Sequence, residues 1–202
     1  PIVRTSVETG LGLGEVQEEL SALLERAAAR PAGGLLRLPI DRIFTVRGFG
    51  TVVTGTLLSG TARVGDNIEL LPSGLRSTIR GLQVHDSAVG EARAGQRTAV
   101  NLQGIDVSSV ARGDLVVSPG TMRTSHLIDA HLQLLDGFGP VSQHQRLRFH
   151  HGAAEVLARV VVLGGDEIAP GRSGFVQLRL ERSYAVAPGD RFIVRQYSPM
   201  VT

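Results

Sequence analysis

The chain of 202 residues contains no cysteine, no lysine and no tryptophan, and aromatics make up only 4% of it. Without cysteine there are no disulfides and no thiolate metal sites, which fits a reducing compartment. Without lysine there is no GxxxxGK[ST] phosphate loop. All 21 cationic side chains are therefore arginine. That inventory suits forked contacts to phosphate or carboxylate, and the nucleotide composition of the source genome explains it equally. Aromatics too few and scattered for a stacking platform argue against single-stranded RNA as a ligand read by base stacking. No apolar run reaches the roughly 18 residues that cross a bilayer and there is no signal-like start, so a soluble cytoplasmic protein with no membrane partner is expected. The formal charge of +2 is modest, so the pI of 9.9 overstates how basic the surface is. The opening proline, without a methionine and in mid-pattern, leads us to expect an excised fragment.

What is present is mostly β. Residues 1–9 read as a short strand entering a turn. Val16, Leu20, Leu23, Leu24 and Ala27 then recur at helical spacing behind Glu15, Glu18 and Glu19, and Pro31 with Gly33-Gly34 ends the helix. From Leu35 onward short apolar strands alternate with turn signals, and three times a Gly-Asp pair precedes an apolar strand, at 65–66, 113–114 and 189–190. This punctuation predicts antiparallel β-barrels. The chain can bury two small cores, and SPGTMRTS, residues 118–125, is the best boundary. One barrel is expected over 35–118 and another over 122–202, preceded by one short strand and one α-helix.

The stretch LPIDRIFTVRGFGTVVTGTLLSG, residues 38–60, predicts a hairpin reversing through Gly48 and Gly50. Arg42, beside Asp41, and the distant Arg97 in AGQRTAVNL are candidates to share one pocket; the alternative is two ordinary surface arginines at strand ends. In RLRFHH, alternation puts Arg146, Arg148 and His150 on one face and Leu147, Phe149 and His151 on the other. That basic face is read as either a phosphate contact or a solvated sheet surface. Adjacent strand histidines point apart, so no metal site is expected. The glycines at 10, 12 and 14 lack GxGxxG spacing and read as a turn. With no nucleophile–base pair visible, a self-contained enzyme ranks last.

The motifs RIFTVRGFGTVVTGTLLSGTARVGD, RAGQRTAVNLQGI and RGDLVVSPG resemble the second domain of translational GTPases of the elongation factor Tu type, and TSVETGLGLGEVQEEL resembles the last guanine-binding motif and closing helix of their GTPase domain. Asp41-Arg42, Arg97, His150-His151 and the ending YSPMVT narrow the resemblance to the selenocysteine-specific elongation factors. The resemblance implies that residues 1–34 are the end of a truncated GTPase domain. It implies that the first barrel holds the aminoacylated 3′ end of selenocysteinyl-tRNA at Asp41, Arg42, Phe44, Thr54, Gly55 and Arg97. It implies that the second barrel contacts tRNA, with Arg146, Arg148, His150 and His151 as candidates, and that Ser6 and Val7 are a guanine-binding remnant. GTP and Mg²⁺, the ribosome and the selenocysteine-insertion mRNA hairpin would engage parts of the full-length protein outside this chain, so no cofactor is expected here and the fragment alone should be inactive as a GTPase. The alternative is the equivalent barrels of another such GTPase binding ordinary aminoacyl- or initiator tRNA. In elongation factor Tu the positions of Arg42 and Arg97 are acidic and amide residues; two guanidiniums suit a selenolate, since a selenol is more acidic than a thiol of ordinary pKa about 8.5.

Overall fold

The computed structural model describes residues 2–26 and 33–197. It forms two compact units, 1–30 and 31–202. In the first, residues 2–6 pair with no strand among the described residues; a lone strand leaves its backbone groups unpaired. The chain reverses instead, the Ser6 amide donating to the Leu11 carbonyl at 3.1 Å. Gly12 turns at φ +70°, where a Cβ would fall 2.2 Å from the Arg4 carbonyl oxygen. Helix α1 follows, Leu13–Arg26, with Glu15 in its first turn and Arg26 in its last, the arrangement a helix dipole favours. None of its residues is buried. Ala27 of the expected stripe and the expected stop at Pro31 lie outside the described residues.

In the larger unit, ten strands precede residue 118: β1 (Arg37–Pro39), β2 (Arg42–Val46), β3 (Gly50–Thr56), β4 (Thr61–Arg63), β5 (Asn67–Leu71), β6 (Leu75–Val84), β7 (Ser87–Val89), β8 (Glu91–Arg93), β9 (Arg97–Leu102) and β10 (Leu115–Val117). The main sheet runs β1-β10-β5-β6-β9-β3-β2, with β7 on β6, and every pairing is antiparallel. Its end strands β1 and β2 are consecutive in the chain. With only Ile40 and Asp41 between them, the sheet must curl until its ends meet. Alternate residues of β3 and β9 then enter one core with Leu38, Ile40, Val53, Leu57 and Ile68, each fully buried.

The second sheet comprises β11 (Ser125–Gln133), β13 (Arg146–His151), β14 (Ala154–Leu163), β16 (Ser173–Tyr184) and β17 (Ile193–Gln196), in the order β11-β16-β14-β13-β17, while β12 (Val141–Ser142) pairs with β15 (Glu167–Ile168). Phe149, Leu147, Ala158, Val160, Val176 and Leu178 fill its interior. Leu71, Leu115 and Val117, contributed by β5 and β10, join that same apolar cluster, so the two sheet systems meet over hydrophobic side chains.

The Gly-Asp pairs at 65–66, 113–114 and 189–190 share one device. Asp66, Asp114 and Asp190 each accept, at 2.8 Å, the backbone N–H three residues earlier. Each preceding glycine has positive φ, which a side chain would oppose. Asp114 and Asp190 both lie where the sheets meet, and at Gly113 a Cβ would stand 2.6 Å from Ala154 Cα.

His151 ends β13 and is 4% exposed. Burial, foremost, holds its imidazole below the usual histidine range, the neighbouring Asp190 opposing and Arg37 assisting. On acidification below about 6.5 the unfolded chain binds a proton that the folded chain refuses, so stability falls as pH drops through that window, at up to roughly 1.4 kcal/mol per pH unit per proton. His150 acts with the same sign. Asp114, raised by burial, acts oppositely: its folded carboxyl takes its proton first. Urea midpoints at pH 7.5 and 5.5 should therefore drop less in His151→Gln than in the wild type; an equal drop would assign the effect elsewhere.

Candidate functional site

Directly paired residues on neighbouring strands share a face, so the register of β2, β3, β9 and β6 lays out the outer surface of the first barrel in rows. One row is Phe44, Val52, Asn101 and Gly81; the next is Arg42, Thr54, Ala99 and Gln83; the next carries Thr56 and Arg97. Arg42 and Arg97, 55 residues apart in sequence, thus stand on one face within two rows, about 7 Å along the strands.

Asp41 sits at the mouth of β2, its amide tied to the Thr54 carbonyl at 2.8 Å. Its carboxylate takes both arms of the Arg97 guanidinium, Nη1 to Oδ2 at 2.5 Å and Nη2 to Oδ1 at 2.9 Å, and accepts the Thr54 hydroxyl at 2.9 Å. The hydrogen bond from Arg97, foremost, holds the Asp41 carboxyl below the usual range against the opposing effect of burial. Asp41 thus holds Arg97 rather than its sequence neighbour Arg42, which is exposed and makes no hydrogen bond or ion pair among the described residues. An Asp side chain at a strand mouth reaches across to β9 more readily than back to its own sequence neighbour, whose side chain points from the next position of the pleat.

Beside this cluster runs an apolar groove of about 240 Å³, lined chiefly by Phe44, Val46, Phe49, Val52, Gln83 and Asn101. Phe44 and Phe49 are 42% and 61% exposed. The Asn101 amide oxygen is buried without a partner, an acceptor that a ligand's N–H would satisfy. Gly55 is on the other face. Between outward Thr54 and Thr56 it points inward, where a Cβ would lie 2.0 Å from the Pro39 carbonyl oxygen; it packs β3 on β1 and is not among the residues lining the groove. Strand alternation alone separates it from Thr54.

On the second barrel the expected alternation of β13 is present: Arg146, Arg148 and His150 are half-buried on the outside and Leu147, Phe149 and His151 are buried. Arg146 is held by Glu181 at 2.8 and 2.7 Å, and Arg148 pairs with Glu155. Both guanidiniums lie over the Tyr197 ring, at 4.5 and 5.2 Å. Register adds Arg159 opposite Arg146, Arg195 opposite Arg148, and Arg179 opposite Arg159. These three escaped the sequence reading, although outward alternation in LARVVV, QLRLER and IVRQ marks them. Five arginines against Glu155, Glu181 and Asp129, which the register places on the same face, leave it positive. His151, grouped with these residues by sequence, is instead buried between the sheets and hydrogen-bonded to Tyr184 at 3.2 Å, beyond reach of a surface ligand.

A polar cleft lined by Arg112, His150, Glu155 and Arg182 adds further cations between the two sheet systems. In the N-terminal unit Ser6 accepts the Thr9 N–H at 3.3 Å and Val7 is 88% exposed, so both belong to a turn.

Residues 50–117 match the family model for elongation factor Tu domain 2, and residues 128–202 match the model for the selenocysteine-specific elongation factor β-barrel domain. The selenocysteine-specific elongation factor of Desulfomicrobium baculatum is 43% identical over 100% of this chain and 32% of its own length; that of Escherichia coli is 34% identical over 96% of this chain and 30% of its own. The chain thus spans about a third of the length of these relatives. Among solved structures, translation elongation factor SelB from Methanococcus maripaludis in its apo form superposes with a TM-score of 0.80 at 27% identity, covering 94% of this chain and 44% of that one. A bacterial selenocysteine-specific factor, EF-Sec, superposes at 0.77 with 28% identity, covering 94% and 30%.

Proposed function

This chain belongs to the selenocysteine-specific elongation factor family, and on that premise we propose that its first barrel holds the 3′ end of selenocysteinyl-tRNA while the arginine face of the second binds the RNA backbone. In the full-length factor this carries selenocysteine to the ribosome at recoded UGA codons in the cytoplasm. The observation that carries the reading is the Asp41–Arg97–Thr54 cluster with Arg42 on the same face, at the end of an apolar groove.

The chemistry follows from charge. Two guanidiniums and one carboxylate leave a single positive charge on the exposed face, which one selenolate neutralises through charge-assisted hydrogen bonds. The seryl ester of the same tRNA offers only a neutral hydroxyl, against which a desolvated Arg42 stays unpaired, and a site rejects a near-isostere through such unmet groups. Asp41 orients Arg97 and keeps its fork from swinging to solvent. The apolar groove one to two rows away, lined by Phe44, Phe49 and Val52, offers apolar contact to the terminal nucleotide beside the acyl group. In the second barrel, Glu155 and Glu181 fix the arginine forks while the surplus of positive charge faces phosphate.

The residues present do not make a nucleotide site. No lysine exists for a phosphate loop, and the Ser6 amide and hydroxyl are both engaged within their own turn. GTP and Mg²⁺ belong, in this proposal, to segments of the full-length protein outside this chain. The match of residues 128–202 to the family's own barrel model does not favour a factor for ordinary aminoacyl- or initiator tRNA.

The test is a titration of this chain with selenocysteinyl- and seryl-tRNA between 50 and 200 mM salt, concentrations chosen from the range where phosphate contacts respond, roughly tenfold or more for several contacts. Affinity for both should fall with salt, selenocysteinyl-tRNA binding tighter throughout. The salt slope should become shallower, by about one, in Arg195→Gln. Equal affinity for the two tRNAs would end the selenolate reading, and a flat salt dependence would end the phosphate reading.

A further inference from the structure

At the junction of the two sheet systems one carboxylate oxygen gathers three partners. Asp190 Oδ2 accepts from Arg37 Nη2 at 2.5 Å and from the Ala187 amide at 2.8 Å, and His151 Nε2 stands 3.3 Å from it. Arg37 comes from β1 of the first barrel; His151 ends β13 and Asp190 precedes β17 in the second. The side chains of Arg37, Asp190 and His151 are 13%, 17% and 5% exposed. His151 is pinned on its other nitrogen by the Tyr184 hydroxyl at 3.2 Å. Asp114 from the first barrel and Arg182 from the second also face this cluster.

The surrounding contact is apolar, through Leu71, Leu115 and Val117. Apolar contact is non-directional: it favours closeness and tolerates sliding. A guanidinium arm donating to an oxygen already held by an amide, with an imidazole packed beside it, does not slide, because each donor needs its own angle. Removing either charge leaves the other buried and unpaired.

We propose that Asp190 is a positioning residue: the Arg37–Asp190–His151 cluster sets the angle between the barrels at which one tRNA reaches the acyl-end pocket and the arginine face together. This rests on the tRNA reading above. It explains why Arg37, on β1 beside the Pro39 and Asp41 end of the pocket strands, is committed to the second barrel. The RNA itself touches none of the three residues.

The experiment uses two probes on the whole chain: an RNA hairpin carrying acceptor and T-arm stems with a non-hydrolysable selenocysteinyl 3′ end, and an acylated tetranucleotide ending in CCA that reaches only the first barrel. In Asp190→Ala, affinity for the hairpin should fall about tenfold while affinity for the tetranucleotide is unchanged; Asp190→Asn, which retains an acceptor for Arg37, should recover part of the loss. Because the chain has no cysteine, Ser87→Cys with Gln133→Cys accepts a spin-label pair across the barrels, and the distance distribution should broaden in Asp190→Ala. Equal loss for both probes, or an unbroadened distance, overturns the positioning role alone. If the wild type binds neither probe, the tRNA reading falls and this role falls with it.

Discussion

Arg97→Met is expected to weaken binding of selenocysteinyl-tRNA about 100-fold and to bring its affinity close to that for seryl-tRNA. Two effects add. A hydrogen bond to a charged group contributes about 1.5–3 kcal/mol. Loss of Arg97 also strips Asp41 of its bidentate partner, so that a carboxylate faces the incoming selenolate, and like charges at such a distance repel. Arg42→Met, which removes a cation with no hydrogen bond or ion pair among the described residues, should cost less, roughly 10- to 30-fold, or about 1.4–2 kcal/mol. Asp41→Ala with Arg97→Met together should recover part of the Arg97→Met loss, since the repulsive group goes too. Kd values for both acyl-tRNAs across the four proteins decide this. An Arg97→Met protein that keeps the wild-type preference for selenocysteine would show that the cluster is scaffold.

The second large effect is on stability. Gly55→Ala should destabilise the barrel unit by about 3 kcal/mol, at the upper end of overpacking costs, lowering Tm by roughly 6–12 °C for a unit of this size. The added methyl would stand 2.0 Å from the Pro39 carbonyl oxygen and 2.9 Å from a Leu38 methyl, and β1 is held on both sides, by β10 and by the Arg37–Ser59 bridge. It cannot give way without opening the seam that closes the sheet. Gly81→Ala serves as the control: its Cβ would meet only Asn101 Cβ at 3.9 Å, ordinary contact, and Tm should move little. If Gly55→Ala melts with the wild type, the seam is softer than its distances imply.

Much of this molecule is readable from local pattern. The Gly-Asp pairs announce strand starts because a positive-φ residue followed by a carboxylate closes a turn using neighbours within three residues. The inward and outward sets of RLRFHH follow from the pleat. The same period of two distinguishes Gly55 from Thr54 and marks Arg159, Arg179 and Arg195, so those misreadings concern information the chain carries. The strand expected before α1 fails differently: its residues have strand-like content, but a strand exists only against a partner.

Composition and periodicity by themselves determined a mainly β chain, its hairpin and the basic face of RLRFHH, while the family came through resemblance of its motifs. Tertiary structure alone decided which charges meet. Asp41 finds Arg97 across 56 residues and not its neighbour Arg42, and His151 leaves its arginine neighbours for Asp190, because closing a sheet brings together positions whose separation along the chain carries no trace of their partners. Local geometry repeats every two residues and so shows in sequence; the pairing of ions depends on register and burial, which exist only once the barrels have closed.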